Sequence, residues 1–391
     1  MRNFIGKSVS LFLILWLISF NGNTKTENCF GLDNKDREQK YENGNFFRSI
    51  VNYDSDLIKT AMSAMTHSCM VTQKESSETF KLLSAKGWEL ITEKGLSAKN
   101  SREGIIEPRA GRAYVAYNKS INTVVVTFRG TGVKGMGKGY KLKLIKNALT
   151  DSNLRLKKLM WLPIFRNKKK SSYSVTESFK KWKGLTRETL KEWKDIKVHN
   201  GFNKEYNRFA GTISKRIESF LYKNKKNPKI YCIGFSLGAA LATHCGIHLR
   251  LRFGINPNVL VGASPRVGGR DFQKSYDKLI KNSARIMLEK DPVPQIPGNI
   301  IKKLYKHVGH KLLPLYHDKK MGQRLKEKAL KLITHSWNNA RVGRDVFAFI
   351  KYHNYLKYKD ALRKHLSMCK SDCKKGTLEN LAKIERDFGN K

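Results

Sequence analysis

The chain has 391 residues, 40% of them hydrophobic and only nine proline. That is enough to bury the core of one large catalytic domain or two modest ones, and it excludes a disordered chain. Lysine and arginine total 77 against 32 acidic residues, a formal net charge of +45. Such a surface attracts anionic headgroups or nucleic acid through its long-range field. No helix-turn-helix, RRM or finger pattern accompanies the charge, and its densest runs, Arg166–Lys170 and Lys223–Lys226, fall in expected loops. Specific nucleic-acid recognition is therefore not expected, and much of the charge reads as solvated lysine spread over every face.

At the amino terminus Arg2 and Lys7 precede an apolar run from Val9 to Phe20, followed by polar Asn21–Thr24. The run falls short of the ~20 residues needed to cross a bilayer. A secretory signal over residues 1–23 is the expectation, with an uncleaved anchor as the alternative. Residues 24–391 would then form the mature domain in an oxidising compartment. Of the six cysteines, Cys232 and Cys245 sit on an expected buried strand and helix and read as free thiols. Cys29, Cys69, Cys369 and Cys373 are the disulfide candidates, with three possible pairings. No Cys/His spacing reads as a zinc site.

Residues 54–70 carry small and apolar side chains at helical spacing. Ala113–Tyr117 and Thr123–Phe128 read as adjacent strands, the second apolar enough to be buried on both faces. The sequon Asn118-Lys-Ser120 in the turn between them fits an exposed glycosylation site. From Gly132 to Lys197 the chain turns irregular and basic. Beyond it, 205–222 reads as helix, 230–234 as strand, 237–252 as helix, and 259–262 and 285–288 as strands. This alternation indicates a largely parallel sheet covered on both faces.

Gly234-Phe-Ser-Leu-Gly238 has the form G-x-S-x-G, after an expected strand and before an expected helix. That is the setting of a nucleophile elbow, a tight turn that exposes Ser236 at a helix amino terminus, where backbone N–H groups favour developing negative charge. A serine nucleophile needs a base oriented by a carboxylate. Asp291, just past the expected strand 285–288 and beside Pro292 and Pro294, is the best acid. Asp271 and Asp277 lie in a polar, helix-like stretch. The amide of Leu237, directly after the nucleophile, is one oxyanion donor by geometry.

Several blocks together resemble the class 3 lipases of fungal type, a family of the α/β-hydrolase superfamily. They are Val124-Val-Val-Thr-Phe-Arg-Gly-Thr131, Val198-His-Asn-Gly-Phe202, Gly234–Ala242, Gly262-Ala-Ser-Pro-Arg-Val-Gly268, Lys290–Pro297 and Tyr305-Lys-His-Val-Gly309. The family's usual residue between Gly234 and Ser236 is His; here it is Phe235, at a position read as having no chemical role. The resemblance implies a mostly parallel central sheet with helices on both faces and a lid insertion, here lengthened and basic over 132–197. Tyr140–Ile145 or Leu156–Phe165, with Trp161, would meet an interface, an ordinary surface insertion being the alternative. It also implies a histidine base near the carboxy terminus: His353 in His-Asn-Tyr-Leu-Lys-Tyr358, with His335 as the runner-up. Thr131 would give the second oxyanion donor, while Arg129, His199, His307 and His310 would be framework. The implied activity is a secreted serine ester hydrolase on triacylglycerol, needing no cofactor or metal. A phospholipase A1 on anionic membranes and an inactive lipid-binding protein of the same fold are the rivals.

Overall fold

The run Thr-Val-Val-Val-Thr-Phe carries no charged side chain, and in the computed structural model every residue of it is buried in the strand Thr123–Phe128 (β4). The structure describes residues 55–73, 75–109, 111–130, 156–159, 192–224, 227–288, 291, 293–295, 297, 305–309, 311–315, 353 and 355–368. Residues 1–23, expected to be a leader, and most of the basic stretch 132–197 lie outside them.

Ahead of β4 come helices Ser55–Met70 (α1) and Ser76–Ser84 (α2), strand Glu89–Leu90 (β1), a helical turn Ser101–Gly104 (α3), and strands Ile105–Ile106 (β2) and Ala113–Asn118 (β3). Strands β1 and β2 pair antiparallel with β3, and β3 antiparallel with β4. After β4 the pairing turns parallel. Lys229–Phe235 (β7), Asn258–Gly262 (β8), Ser283–Leu288 (β9) and Lys311–Leu315 (β10) follow in the order β4-β7-β8-β9-β10. Two further strands, Leu156–Lys158 (β5) and Lys197–His199 (β6), form a separate antiparallel pair. The start of the apolar stretch Leu156–Phe165 is thus tied into a ribbon; Trp161 and the segment Tyr140–Ile145 lie outside the described residues.

Because side chains alternate across a strand, β4 feeds two cores. Val124 and Val126 join Cys232, Val259 and Val261 beneath helices Asn200–Lys223 (α4), Leu237–Phe253 (α5) and Arg270–Leu279 (α6). Val125 joins Ile233, Leu260 and Ile286 on the other face, beneath α1 and the helix Tyr355–Met368 (α7). Fully burying each such aliphatic side chain contributes about 1.5–3 kcal/mol before entropy is counted. Helix α5 is buried nearly all round and packs closely through small residues: a Cβ on Gly246 would lie 2.5 Å from Val259 Cγ2. It ends at Gly254, whose left-handed φ of +69° glycine adopts without the penalty of a Cβ. A mostly parallel sheet, helices on both faces and an elbow at the end of β7 make this an α/β-hydrolase fold.

The turn between β3 and β4 departs from expectation. Asn118 is only 9% exposed, and its Oδ1 accepts hydrogen bonds from Ser120 N (3.0 Å), Ser120 Oγ (2.6 Å) and Ile121 N (3.4 Å). The side chain closes the turn as an Asx motif, so Asn118 is itself a buried turn residue, while Lys119 and Ser120 beside it are exposed.

Candidate active site

At the carboxyl end of β7 the chain must reverse into α5 within one residue. Ser236 makes that reversal with φ +58° and ψ −125°, a conformation of high cost for any residue bearing a Cβ. Its neighbours show why they are glycine. A Cβ on Gly234 would sit 2.0 Å from the Gly238 carbonyl oxygen, and one on Gly238 would sit 2.3 Å from the Phe128 carbonyl oxygen. The Ser236 amide donates to the Gly262 carbonyl (3.0 Å), tying the elbow to β8. Ser236 itself retains 6% exposure.

Asp291 follows directly on β9, with its amide bonded to the Leu288 carbonyl at 3.0 Å. It is 2% exposed, and such a buried carboxylate must be satisfied. Val293 N donates to its Oδ1 (2.9 Å), and the Tyr358 hydroxyl donates to its Oδ2 (2.6 Å). His353 Nδ1 lies 2.9 Å from Oδ2 and 3.1 Å from Oδ1. The other ring nitrogen, Nε2, lies 2.8 Å from Ser236 Oγ. With Nδ1 protonated toward the carboxylate, Nε2 is left as the acceptor for the serine proton. The structure therefore brings Ser236, His353 and Asp291 into one hydrogen-bonded line. His335 lies outside the described residues.

The imidazole is held by aromatic rings as well. Phe235 lies with its ring centroid 5.0 Å from that of His353, and Tyr358 meets the Phe235 ring edge-on at 5.0 Å. Position 235, read from the sequence as having no chemical role, has a packing one: its side chain is a wall of the histidine's slot. Tyr358 was not singled out from the sequence either. Burial, and next to it the Asp291 charge, push its phenol well above the usual range, so it stays a donor.

The amide of Leu237 stands in the first turn of α5, where helical N–H groups lack intrahelical acceptors and the dipole favours an anion. Thr131 lies just outside the described residues. Gly130, before it, runs against the elbow: a Cβ there would be 2.9 Å from the Phe235 carbonyl and 3.4 Å from Ser236 Cβ. Arg129 is buried beside Arg112 and Glu107; burial first, and Arg112 next, lower its pKa to about 10. Asp271 lies in the first turn of α6, and Asp277 accepts from the Gly309 amide at 2.7 Å, both away from Ser236's hydrogen-bonded line.

The remaining described histidines are occupied elsewhere. His199 caps α4, its Nδ1 accepting from Gly201 N (3.1 Å) and Phe202 N (3.3 Å). His307 Nε2 bonds the Pro294 carbonyl at 2.8 Å, and His310 lies outside the described residues. Among the described residues no group of three or more His, Cys, Asp or Glu side chains is placed to hold a metal ion.

Comparison with known proteins finds likeness to the same family over part of the chain. Residues 164–300 match the model of the lipase (class 3) family. A lipase of Caenorhabditis elegans, ZK262.3, is 38% identical over 76 residues, covering 19% of this chain and 22% of that protein. The secreted mono- and diacylglycerol lipase LIP1 of Malassezia globosa is 32% identical over 108 residues, covering 27% and 34% respectively. The matches thus span about a fifth to a third of these relatives' own length. Among solved structures, a lipase of Rhizopus microsporus var. chinensis aligns over 76% of this chain and 86% of its own, with 19% identity and a TM-score of 0.45. The Rhizomucor miehei lipase–propeptide complex aligns over 78% and 80%, with 18% identity and a TM-score of 0.44. The resemblance drawn from the motifs holds: across residues 164–300 this chain carries the class 3 lipase pattern, on an α/β-hydrolase fold.

Proposed function

We propose that this protein is an exported serine hydrolase of lipid carboxylic esters, with triacylglycerol as its substrate. The observation that carries the reading is the line of hydrogen bonds from Ser236 through His353 to Asp291, at 2.8 and 2.9 Å. In the proposed reaction His353 Nε2 takes the Ser236 proton as Oγ bonds to the ester carbonyl carbon. Asp291 holds the ring and stabilises its charged form. The carbonyl oxygen becomes an oxyanion at the Leu237 amide, with the Thr131 amide as the second donor; the closeness of Gly130 to the elbow supports that role. The tetrahedral intermediate collapses, the alcohol leaves with the proton from His353, and an acyl-enzyme remains. Water, deprotonated by His353, releases the fatty acid. This chemistry calls on no metal or cofactor.

Residues 24–391 are proposed as the catalytic unit and 1–23 as a leader. The apolar amino-terminal run and the disulfide-bonded state of Cys69 support export. The acylglycerol named for the Malassezia globosa relative supports a glyceride substrate.

The net charge of +45 favours a second reading, a phospholipase A1 working on anionic membranes. Fatty-acid release from triolein emulsions and from phosphatidylserine vesicles, measured across a salt series, tests the choice. The Debye length shrinks from about 10 Å at 0.1 M to about 3 Å at 1 M ionic strength. Triolein turnover exceeding that of phosphatidylserine, and persisting at high salt, is the expected result. Preferential hydrolysis of phosphatidylserine that collapses with salt overturns triacylglycerol as the substrate.

A further inference from the structure

The two free thiols on either side of the elbow stand in an unusual relation. Cys232 lies on β7 and Cys245 on α5; both are fully buried, and their sulfurs are 2.8 Å apart. That is only about 0.8 Å beyond the length of a disulfide bond. The intervening segment contains the whole turn, Gly234-Phe-Ser-Leu-Gly238. We propose that Cys232 and Cys245 are the site of an intramolecular disulfide that staples the strand entering the nucleophile elbow to the helix leaving it.

The step balances simply. Each thiol gives up one proton and one electron, and the Sγ–Sγ bond forms. A disulfide oxidant, such as glutathione disulfide or the disulfide of an exchange protein, takes up both and becomes two thiols. Export, as proposed above, supplies such an oxidant. Because both sulfurs are sealed from solvent in the folded protein, the bond forms before α5 closes over the sheet. Once buried, it is shielded from reductants. The staple has a mechanical meaning: Ser236 sits at φ +58°, and a cross-link spanning the turn opposes the separation of β7 and α5 that would relax it.

The test reads masses rather than activity, so its failure is distinct from failure of the hydrolase reading. The full chain is folded in a buffer of oxidised and reduced glutathione, and material in which Cys69 is already cross-linked is denatured, alkylated without reduction and digested. The expected result is a peptide pair joined through Cys232 and Cys245, two hydrogens lighter than the free pair. The bond should survive dithiothreitol on the native protein and be lost when the reductant is added in denaturant. In a Cys245→Ala variant, Cys232 should instead be alkylated in full. Alkylation of both Cys232 and Cys245 in the wild type would overturn the proposal, as would linkage of either to a different cysteine.

Discussion

The Tyr358 hydroxyl donates a 2.6 Å hydrogen bond to Asp291 Oδ2, the same oxygen that lies 2.9 Å from His353 Nδ1. Tyr358 comes from α7 and Asp291 from the loop after β9, so the bond joins a late helix to the end of a strand. It divides the carboxylate's charge between a phenol and an imidazole and fixes the carboxylate's orientation before a substrate arrives.

Tyr358→Phe removes that donor at almost constant volume. A hydrogen bond to a charged group is worth about 1.5–3 kcal/mol, so kcat should fall roughly 10- to 100-fold. KM should change little, since Tyr358 is buried and bonded to the acid rather than to the acyl site. Steady-state kinetics on a soluble short-chain ester measure both; an unchanged kcat would mean that Tyr358 is packing alone.

Phe235 sets the slot in which the His353 ring lies. Phe235→Ala opens a cavity there, and buried Phe-to-Ala changes cost about 3–5 kcal/mol. The urea midpoint should drop accordingly, with activity lost through a loosened imidazole even where the protein remains folded. Phe235→His keeps a planar ring at the site and should retain activity within about tenfold, a residual barrier change near 1.4 kcal/mol.

Gly234→Ala and Gly238→Ala probe the elbow. Each places a Cβ within 2.0–2.3 Å of a backbone oxygen, a clash that no side-chain rotation relieves. Both variants should be destabilised by more than about 4 kcal/mol, the range reserved for such backbone conflicts. Gly211→Ala is the control, because a Cβ there meets nothing within 4 Å. Circular dichroism melts compare the three; a Gly234→Ala protein as stable as the control would contradict the geometry described for the turn.

Three histidines are buried neutral. His67 bonds Tyr114 Oη (2.7 Å), His248 bonds Tyr206 Oη (2.8 Å), and His244 stacks on Tyr206. Burial is the main cause that lowers each to a pKa of about 3. Unfolded, each would titrate near its ordinary 6.5. Between pH 6.5 and 3 the unfolded chain therefore binds more protons than the folded one, and stability falls as pH falls. Each histidine contributes up to about 1.4 kcal/mol per pH unit in that window. Urea midpoints should be level with respect to these groups above pH 7 and drop steeply below 6.5. A midpoint unchanged down to pH 4 would contradict the buried, neutral state.

How much of this was legible follows the range of the interactions. The elbow is local: strand, G-x-S-x-G and helix are contiguous, and β7 and α5 lie within a residue or two of the expected bounds. Asp291 stands out in the sequence because it lies just past an expected strand. His353 was reached only through resemblance, since nothing local marks a histidine that meets its serine 117 residues away in sequence. Tyr358 and Phe235 were missed for a related reason: their roles exist only once α7 docks against the end of β7. Strand β10 carries Pro314, which argues against a central strand, and it does sit at the sheet edge, where proline is tolerated. Two-residue strands such as β1 and β2 hold no periodicity to read. Helix α4 starts five residues before its expected boundary because its cap is His199 rather than a Ser, Thr, Asp or Asn.

The most direct test of the account is the reaction of the folded protein with a fluorophosphonate probe, followed by mass-spectrometric mapping of the modified side chain. Phosphonylation at Ser236, abolished in Ser236→Ala and strongly slowed in His353→Ala, is the predicted result. A folded wild-type protein that stays unlabelled, or one labelled at a different serine, would contradict it and leave the inactive lipid-binding rival standing.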